Sequence, residues 1–166
     1  MRLINKEILI RTSEKSDSAY LFKWWNDLNF SHNIGFTKNE LTISNIESII
    51  DNFNNEASGI LIIEISNHII GELNYSITNN IANIGITIGE LTFQNKGYGN
   101  RILKIFIKYL FTSFDKEIDT ITLEAKKDNL IANHLYQKLG FIISKSPLNC
   151  NLEDDTFYYY LPKENF

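Results

Sequence analysis

The residues best suited to chemistry in this 166-residue chain stand at positions 94 to 100, QNKGYGN. Gly97 and Gly99 lie between an extended-looking run, IANIGITIG, and a long apolar run, RILKIFIKYLF. Glycines at a strand-to-helix junction let the backbone turn tightly and present several N–H groups at a helix N terminus, where the helix dipole favours an anion. A phosphate is the obvious guest; the plainer reading is that the two glycines only make the turn. A dinucleotide-binding fingerprint needs a third glycine at position 102, which is Ile102, and a P-loop needs Gly-Lys-Ser/Thr after four residues, which is absent. His32, His68 and His134 have no metal-like spacing with one another or with Cys150, the single cysteine, so no metal site is expected. No Gly-x-Ser-x-Gly elbow supplies a hydrolase nucleophile, and Cys150, without an evident His partner, is expected to be unreactive.

The elements that must hold this loop follow from hydrophobic periodicity. A strand is expected around Glu7 to Thr12, then a helix from about Ser16 to Asp27. Ser44 with Glu47 has capping-box spacing and predicts a second helix running to about Asn54. Three short runs, GILIIEI, IIGELNYSI and IANIGITIG, separated by SNH and TNN, read as an antiparallel meander. In RILKIFIKYLF the polar residues Arg101, Lys104, Lys108 and Thr112 recur at helical spacing, which predicts a largely buried helix. TITLE as a strand, NLIANHLYQKL as a helix, FIIS and TFYYYL as strands complete a mixed α/β chain with one central sheet.

Length and composition are those of one globular domain spanning 1–166. The formal charge of -4 and scattered basic residues argue against nucleic-acid binding and mildly favour cationic partners. One cysteine fits a reducing compartment, and neither a signal-peptide core nor an apolar run of bilayer-spanning length is present, so a cytoplasmic protein is expected, with no membrane partner.

Two blocks of the sequence resemble the GNAT superfamily of acyl-CoA-dependent N-acetyltransferases. The superfamily's Gln/Arg-x-x-Gly-x-Gly/Ala pattern after its fourth strand is matched by Gln94, Gly97 and Gly99. About thirty residues on, NLIANHLYQKLGF is similar to its second block, with Asn129, Ala132, Leu135, Tyr136, Lys138, Leu139, Gly140 and Phe141 in register. The resemblance, good over about 60–145 and loose at the ends, implies a single domain with a mostly antiparallel twisted sheet flanked by helices, its fourth and fifth strands splayed around acetyl-CoA. It implies that the backbone from Asn95 through Lys96, Gly97, Tyr98 and Gly99 to Asn100 wraps the pyrophosphate. Gln94 would brace the loop, and Arg101 or Lys96 would offer charge. The backbone of Ile86, Thr87 and Ile88 would run beside the pantetheine arm, with Asn129 contacting it. Tyr136 would protonate the departing thiolate; its plainer reading is a core aromatic.

An attacking amine must shed a proton first, because an ammonium has no lone pair. Glu90, ending the fourth predicted strand, sits where these enzymes often carry a carboxylate, and Glu72, on the neighbouring strand, is the other candidate; either would serve as general base or amine anchor. Both are equally readable as ordinary strand carboxylates. YLFKWWNDLNFSHNIGF resembles a segment of GNAT branches that include aminoglycoside and ribosomal-protein N-terminal acetyltransferases, and implies that Trp24, Trp25, Asn26 and Phe36 line the acceptor pocket. The acceptor would be a primary amine on a small molecule or peptide, attacking directly in a ternary complex. The alternative is a non-catalytic acyl-CoA-binding module on the same fold. TFYYYL offers either an aromatic edge for a homodimer or an interior strand.

Overall fold

The structure, a computed structural model, describes residues 1–27, 41–144 and 155–166. Among them are eight strands, β1 Arg2–Asn5, β2 Ile8–Thr12, β3 Ser58–Ile65, β4 His68–Thr78, β5 Ile81–Ile88, β6 Thr120–Lys126, β7 Ile142–Ile143 and β8 Thr156–Pro162. Four α-helices are α1 Ser18–Trp25, α2 Ile43–Phe53, α3 Tyr98–Thr112 and α4 Leu130–Lys138. The strands form one sheet in the order β1-β2-β3-β4-β5-β6-β8-β7. Only the β5–β6 ladder is parallel among the described pairings. The architecture is the expected mixed α/β one with a mostly antiparallel sheet. No helix among the described residues is long and apolar enough to cross a membrane.

The meander forms where its turn residues demand it. Ser66 and Asn67 link β3 to β4, Asn79 and Asn80 link β4 to β5, and all four have positive φ. Two consecutive positive φ values are what a type I′ hairpin requires, and asparagine tolerates them best after glycine. The chain's start departs from expectation: β1 and β2 form a hairpin about Lys6, at φ 56, where only β2 was foreseen. α2 also begins elsewhere than at the Ser44/Glu47 pair. Thr42 accepts from the Asn45 N–H at 3.1 Å and Asn45 Oδ1 accepts from the Thr42 N–H at 3.1 Å, a reciprocal cap set two residues earlier. The helix expected over 16–27 takes the form of a 3-10 turn, Lys15–Asp17, leading into α1; Asp17 holds Arg11 at 2.7 and 2.8 Å and the Glu14 N–H at 2.8 Å.

The chain divides into two compact units. The first comprises 1–76 and 86–96. Its core joins Leu21, Trp24 and Trp25 of α1, Ile46 and Ile50 of α2, and Ile60 and Ile62 of β3. β3 is buried at every position but Glu64, as a strand covered on both faces must be. Gly71 on β4 is a forced glycine: a Cβ there would lie 2.1 Å from the Thr87 carbonyl oxygen and 3.0 Å from Ile88 Cα. The second unit comprises 77–85 and 97–166. In it α3 buries Ile102, Leu103, Phe106, Ile107, Leu110 and Phe111 and leaves Lys104, Lys108 and Thr112 exposed, as its periodicity predicts. β8 is interior, paired with β6 along its length and with β7 at Tyr159 and Tyr160, so the TFYYYL run is not the open edge one of its two readings required.

Gly71→Ala is expected to cost about 2–3 kcal/mol, as overpacking against backbone that cannot withdraw, and to lower the urea midpoint accordingly.

Candidate active site

The glycine loop begins where β5 ends. Gln94 donates from Nε2 to the Ile88 carbonyl at 2.7 Å, tying the loop back to the strand. Asn95 turns the chain through φ 57, and Gly97, the N-cap of α3, has φ 78. The first helical bond is Arg101 N–H to the Gly97 carbonyl at 3.3 Å, so the N–H groups of Gly99 and Asn100 lie in the first turn, where a helix offers them no acceptor. A Cβ at Gly97 would meet nothing within 4 Å, and one at Gly99 only Leu135 Cδ2 at 3.3 Å. Backbone conformation therefore demands glycine at 97, while the space before it is open. Asn100 Oδ1 is buried and, among the described residues, has no hydrogen-bond partner. Left-handed turn, helix start, open space and an unmet polar atom together suit an anion with polar appendages. Arg101 brings positive charge, its guanidinium 5.6 Å from the Tyr98 ring centre.

The two candidate carboxylates differ sharply. Glu72 is 0% exposed. Its Oε1 accepts from Trp25 Nε1 at 2.9 Å, while Oε2 has no partner among the described residues. Burial pushes the carboxyl up to about 7, opposed by the hydrogen bond from Trp25. Glu90 lies two residues beyond β5, before a single 3-10 turn over Leu91–Phe93. Its side chain is 28% exposed and holds Lys23 Nζ at 2.6 Å and Trp24 Nε1 at 3.3 Å. Trp24 also covers Gly89, where a Cβ would come within 2.3 Å of the indole. Both tryptophans thus point into the core, 1% and 6% exposed, and touch the site through the carboxylates they bind. Their expected role, presenting aromatic faces to an acceptor, does not match that burial. Asn26 spends its amide on the Phe22 and Leu41 carbonyls, at 3.0 and 3.2 Å. Phe36, His32 and Cys150 lie outside the described residues.

In the second unit, the parallel ladder of β5 and β6 covers three pairs, Ile81↔Thr120 to Asn83↔Thr122, although β6 runs on to Lys126. Asn129 is the N-cap of α4, its side-chain oxygen accepting from the Ala132 N–H at 3.1 Å. About two helical turns beyond it, Tyr136 is buried against Phe141 and Tyr159, ring centres 6.0 and 5.6 Å away. Burial pushes its hydroxyl up to about 12, which makes it a weaker acid than an exposed tyrosine. Asn133, unremarked in the sequence, holds this region together: it accepts from the Tyr159 hydroxyl at 2.8 Å and donates to the Lys126 and Lys127 carbonyls at 2.9 and 3.2 Å.

Residues 7–142 match the family described as acetyltransferase (GNAT) domain. The chain belongs to the GNAT acetyltransferase family. It is similar to spermidine N-acetyltransferase from Vibrio cholerae, solved with CoA and spermine, at 19% identity and a TM-score of 0.81, covering 97% of this chain and 98% of that one. It is also similar to the aminoglycoside acetyltransferase AAC(6')-Ib solved with coenzyme A, at 18% identity and TM-score 0.77, covering 96% of each. A third likeness is to the ribosomal-protein alpha-N-acetyltransferase RimL in complex with coenzyme A, at 14% identity and TM-score 0.80, covering 96% of each. At these identities the likeness is one of fold. The GNAT assignment makes the protein an acetyltransferase and agrees with the enzyme expected from the two sequence blocks.

The GNAT blocks left one residue of the site unseen. Lys23 meets Glu90 across 67 positions. Periodicity marks which face a residue occupies but not which distant residue it meets. Because folding raises the Glu72 pKa, its contribution to stability is complete below the unfolded value of 4.5 and is lost as pH rises through about 7. Glu72→Gln should therefore leave the melting temperature near wild type at pH 4.5 and raise it at pH 8, by a stability difference of roughly 3 kcal/mol, measured by thermal denaturation across that range.

Proposed function

We propose that residues 1–166 form one cytoplasmic N-acetyltransferase domain that moves an acetyl group from acetyl-CoA to a primary amine, both bound at once. The observation carrying this reading is the start of α3, where Gly97 is held at positive φ before open space and Asn100 Oδ1 is unmet. The loop from Asn95 to Asn100 would bind the pyrophosphate through its N–H groups, with Lys96 and Arg101 adding charge. The backbone of Ile86, Thr87 and Ile88 would run along the pantetheine arm, and Asn129 would contact it. Bound acetyl-CoA would supply an acetyl group already activated as a thioester.

Tyr136 is the acid in this reading: a tyrosine hydroxyl is protonated at neutral pH and can give its proton to a departing thiolate, a strong enough base to offset the weakening of the phenol by burial. Glu72 is the base, since a carboxyl near 7 is matched to proton transfer at neutral pH. Glu90 is already occupied by Lys23 and Trp24 and serves to position them. A cationic amine suits the net charge of -4, and the spermine and kanamycin complexes of structurally similar enzymes support the same class. A peptide N terminus is the second acceptor type.

Melting of the purified protein with acetyl-CoA, CoA and ATP tests the cofactor. At about 100 times Kd the two CoA species should stabilise by roughly 2.7 kcal/mol, a shift of a few degrees, and ATP should not. Absence of a shift at millimolar acetyl-CoA would reduce the loop to a turn. Tyr136→Phe should keep that shift and lower kcat about 100-fold or more in an amine screen reading CoA release.

A further inference from the structure

The two carboxylate oxygens of Glu72 have unequal settings. Oε1 accepts from the Trp25 indole at 2.9 Å, a bond buried within the first unit, while Oε2 has no hydrogen-bond partner among the described residues. Backbone holds both ends of that bond. Glu72 follows the forced Gly71, where β4 meets the Thr87 carbonyl with no room for a Cβ. Trp25 is the last residue of α1, and the Asn26 amide ties that end to the Phe22 and Leu41 carbonyls at 3.0 and 3.2 Å. Successive helix residues point about 100° apart, so Trp24 meets a different carboxylate, Glu90. The charged groups on the surrounding elements are engaged with one another: Arg11 of β2 with Asp17 and Glu64, Lys15 with Asp51 of α2, Lys23 of α1 with Glu90. Glu47 of α2 acts on Lys15, and His68 of β4 meets the Ser66 carbonyl at 3.0 Å. Packing alone asks only for a large apolar side chain at position 25; the indole N–H adds a donor aimed at one oxygen.

We propose, on the basis of the acetyltransferase reading above, that Trp25 is a positioning residue for the base, its indole holding Oε1 of Glu72 so that Oε2 takes the proton shed by the acceptor amine. The lone pair of Oε2 forms the new O–H bond, and the nitrogen keeps the electron pair of the N–H bond it loses. Trp25 gives up no proton and receives none, because an indole N–H only donates a hydrogen bond. Its second effect is on pH. A hydrogen bond to the ionised form favours that form, while burial, with Ile62 directly opposite on β3, opposes it. Without the N–H only the opposing influence remains, and Glu72 stays protonated to a higher pH. Trp25 thus selects the oxygen that works and sets the pH above which it is available.

The test removes the donor and keeps the shape: Trp25 is exchanged for benzothienylalanine, which carries sulfur in place of the indole N–H, with Trp25→Phe as a second variant. With acetyl-CoA and spermidine as the probe amine, each variant is compared with wild type at the same pH. A hydrogen bond to a charged group is worth about one pH unit or more, so kcat/KM should fall about tenfold at pH 6 and be kept at pH 9. An equal fall at every pH, as lost packing would give, or no fall at pH 6, would overturn the proposal. A second readout needs no acceptor. The chain has two tryptophans, so nitrogen-15 labelling gives two indole signals, assigned by the loss of one in Trp25→Phe. The Trp25 signal should move as Glu72 titrates near pH 7 and stop moving in Glu72→Gln; a signal that stays still in wild type would overturn the proposal. The Glu72 carboxyl carbon, labelled with carbon-13, should titrate about one pH unit or more higher once the N–H is gone, and an unchanged midpoint would overturn it. If wild type binds CoA but acetylates no amine, the acetyltransferase reading fails on its own, and the two titrations still decide whether Trp25 governs Glu72.

Discussion

One hydrogen bond, from the Trp25 indole to the Glu72 carboxylate at 2.9 Å, sets the character of the first unit. A carboxylate on a strand buried among isoleucines is costly to ionise, and a single donor compensates it only in part. The core of Leu21, Trp24, Ile46, Ile50, Ile60 and Ile62 excludes water around that bond, which is why the carboxyl is held near 7 instead of the ordinary carboxylate range. The protein accepts a destabilised group at neutral pH, and shifts of this kind cluster at sites where a proton must move. Trp24 and Trp25, adjacent in sequence, divide the work: one indole fixes Glu72, the other Glu90.

The glycine loop obeys a different constraint, one of backbone conformation. Gln94 fixes its entry by bonding the last residue of β5, and Gly97 at φ 78 fixes its exit into α3. Between these two points the chain has few ways to run, so the N–H groups at the helix start are oriented before any ligand arrives. Preorganisation of this kind spares the binding step the entropy of ordering a loop. The forced glycine at 71 does the same for Thr87, fixing one strand against the next without any side chain at the crossing.

Local chemistry made much of this legible in the sequence. The Ser-Asn and Asn-Asn turns, the polar stripe of α3 and the two GNAT blocks all depend on residues close together in the chain, and each predicted element is present. The cap of α2 is not legible in the sequence because Thr42 with Asn45 and Ser44 with Glu47 have the same spacing, and only geometry separates them. β1 escaped because a four-residue strand beginning at Arg2 carries no periodic signal. The tryptophans were readable as aromatic but not as buried, since their partners lie 47 and 66 positions away. For the same reason, nothing in the sequence separated a sealed Glu72 from a half-exposed Glu90 engaged by a lysine.

That separation is the centre of the account, and the pH dependence of kcat/KM for amine acetylation tests it most directly, in wild type, Glu72→Gln and Glu90→Gln. The buried carboxyl predicts a wild-type rate that rises with pH and levels off above about 7, a limb that Glu72→Gln abolishes and Glu90→Gln retains. A limb untouched by Glu72→Gln and lost in Glu90→Gln would contradict it, and would transfer the base to the carboxylate that Lys23 now holds.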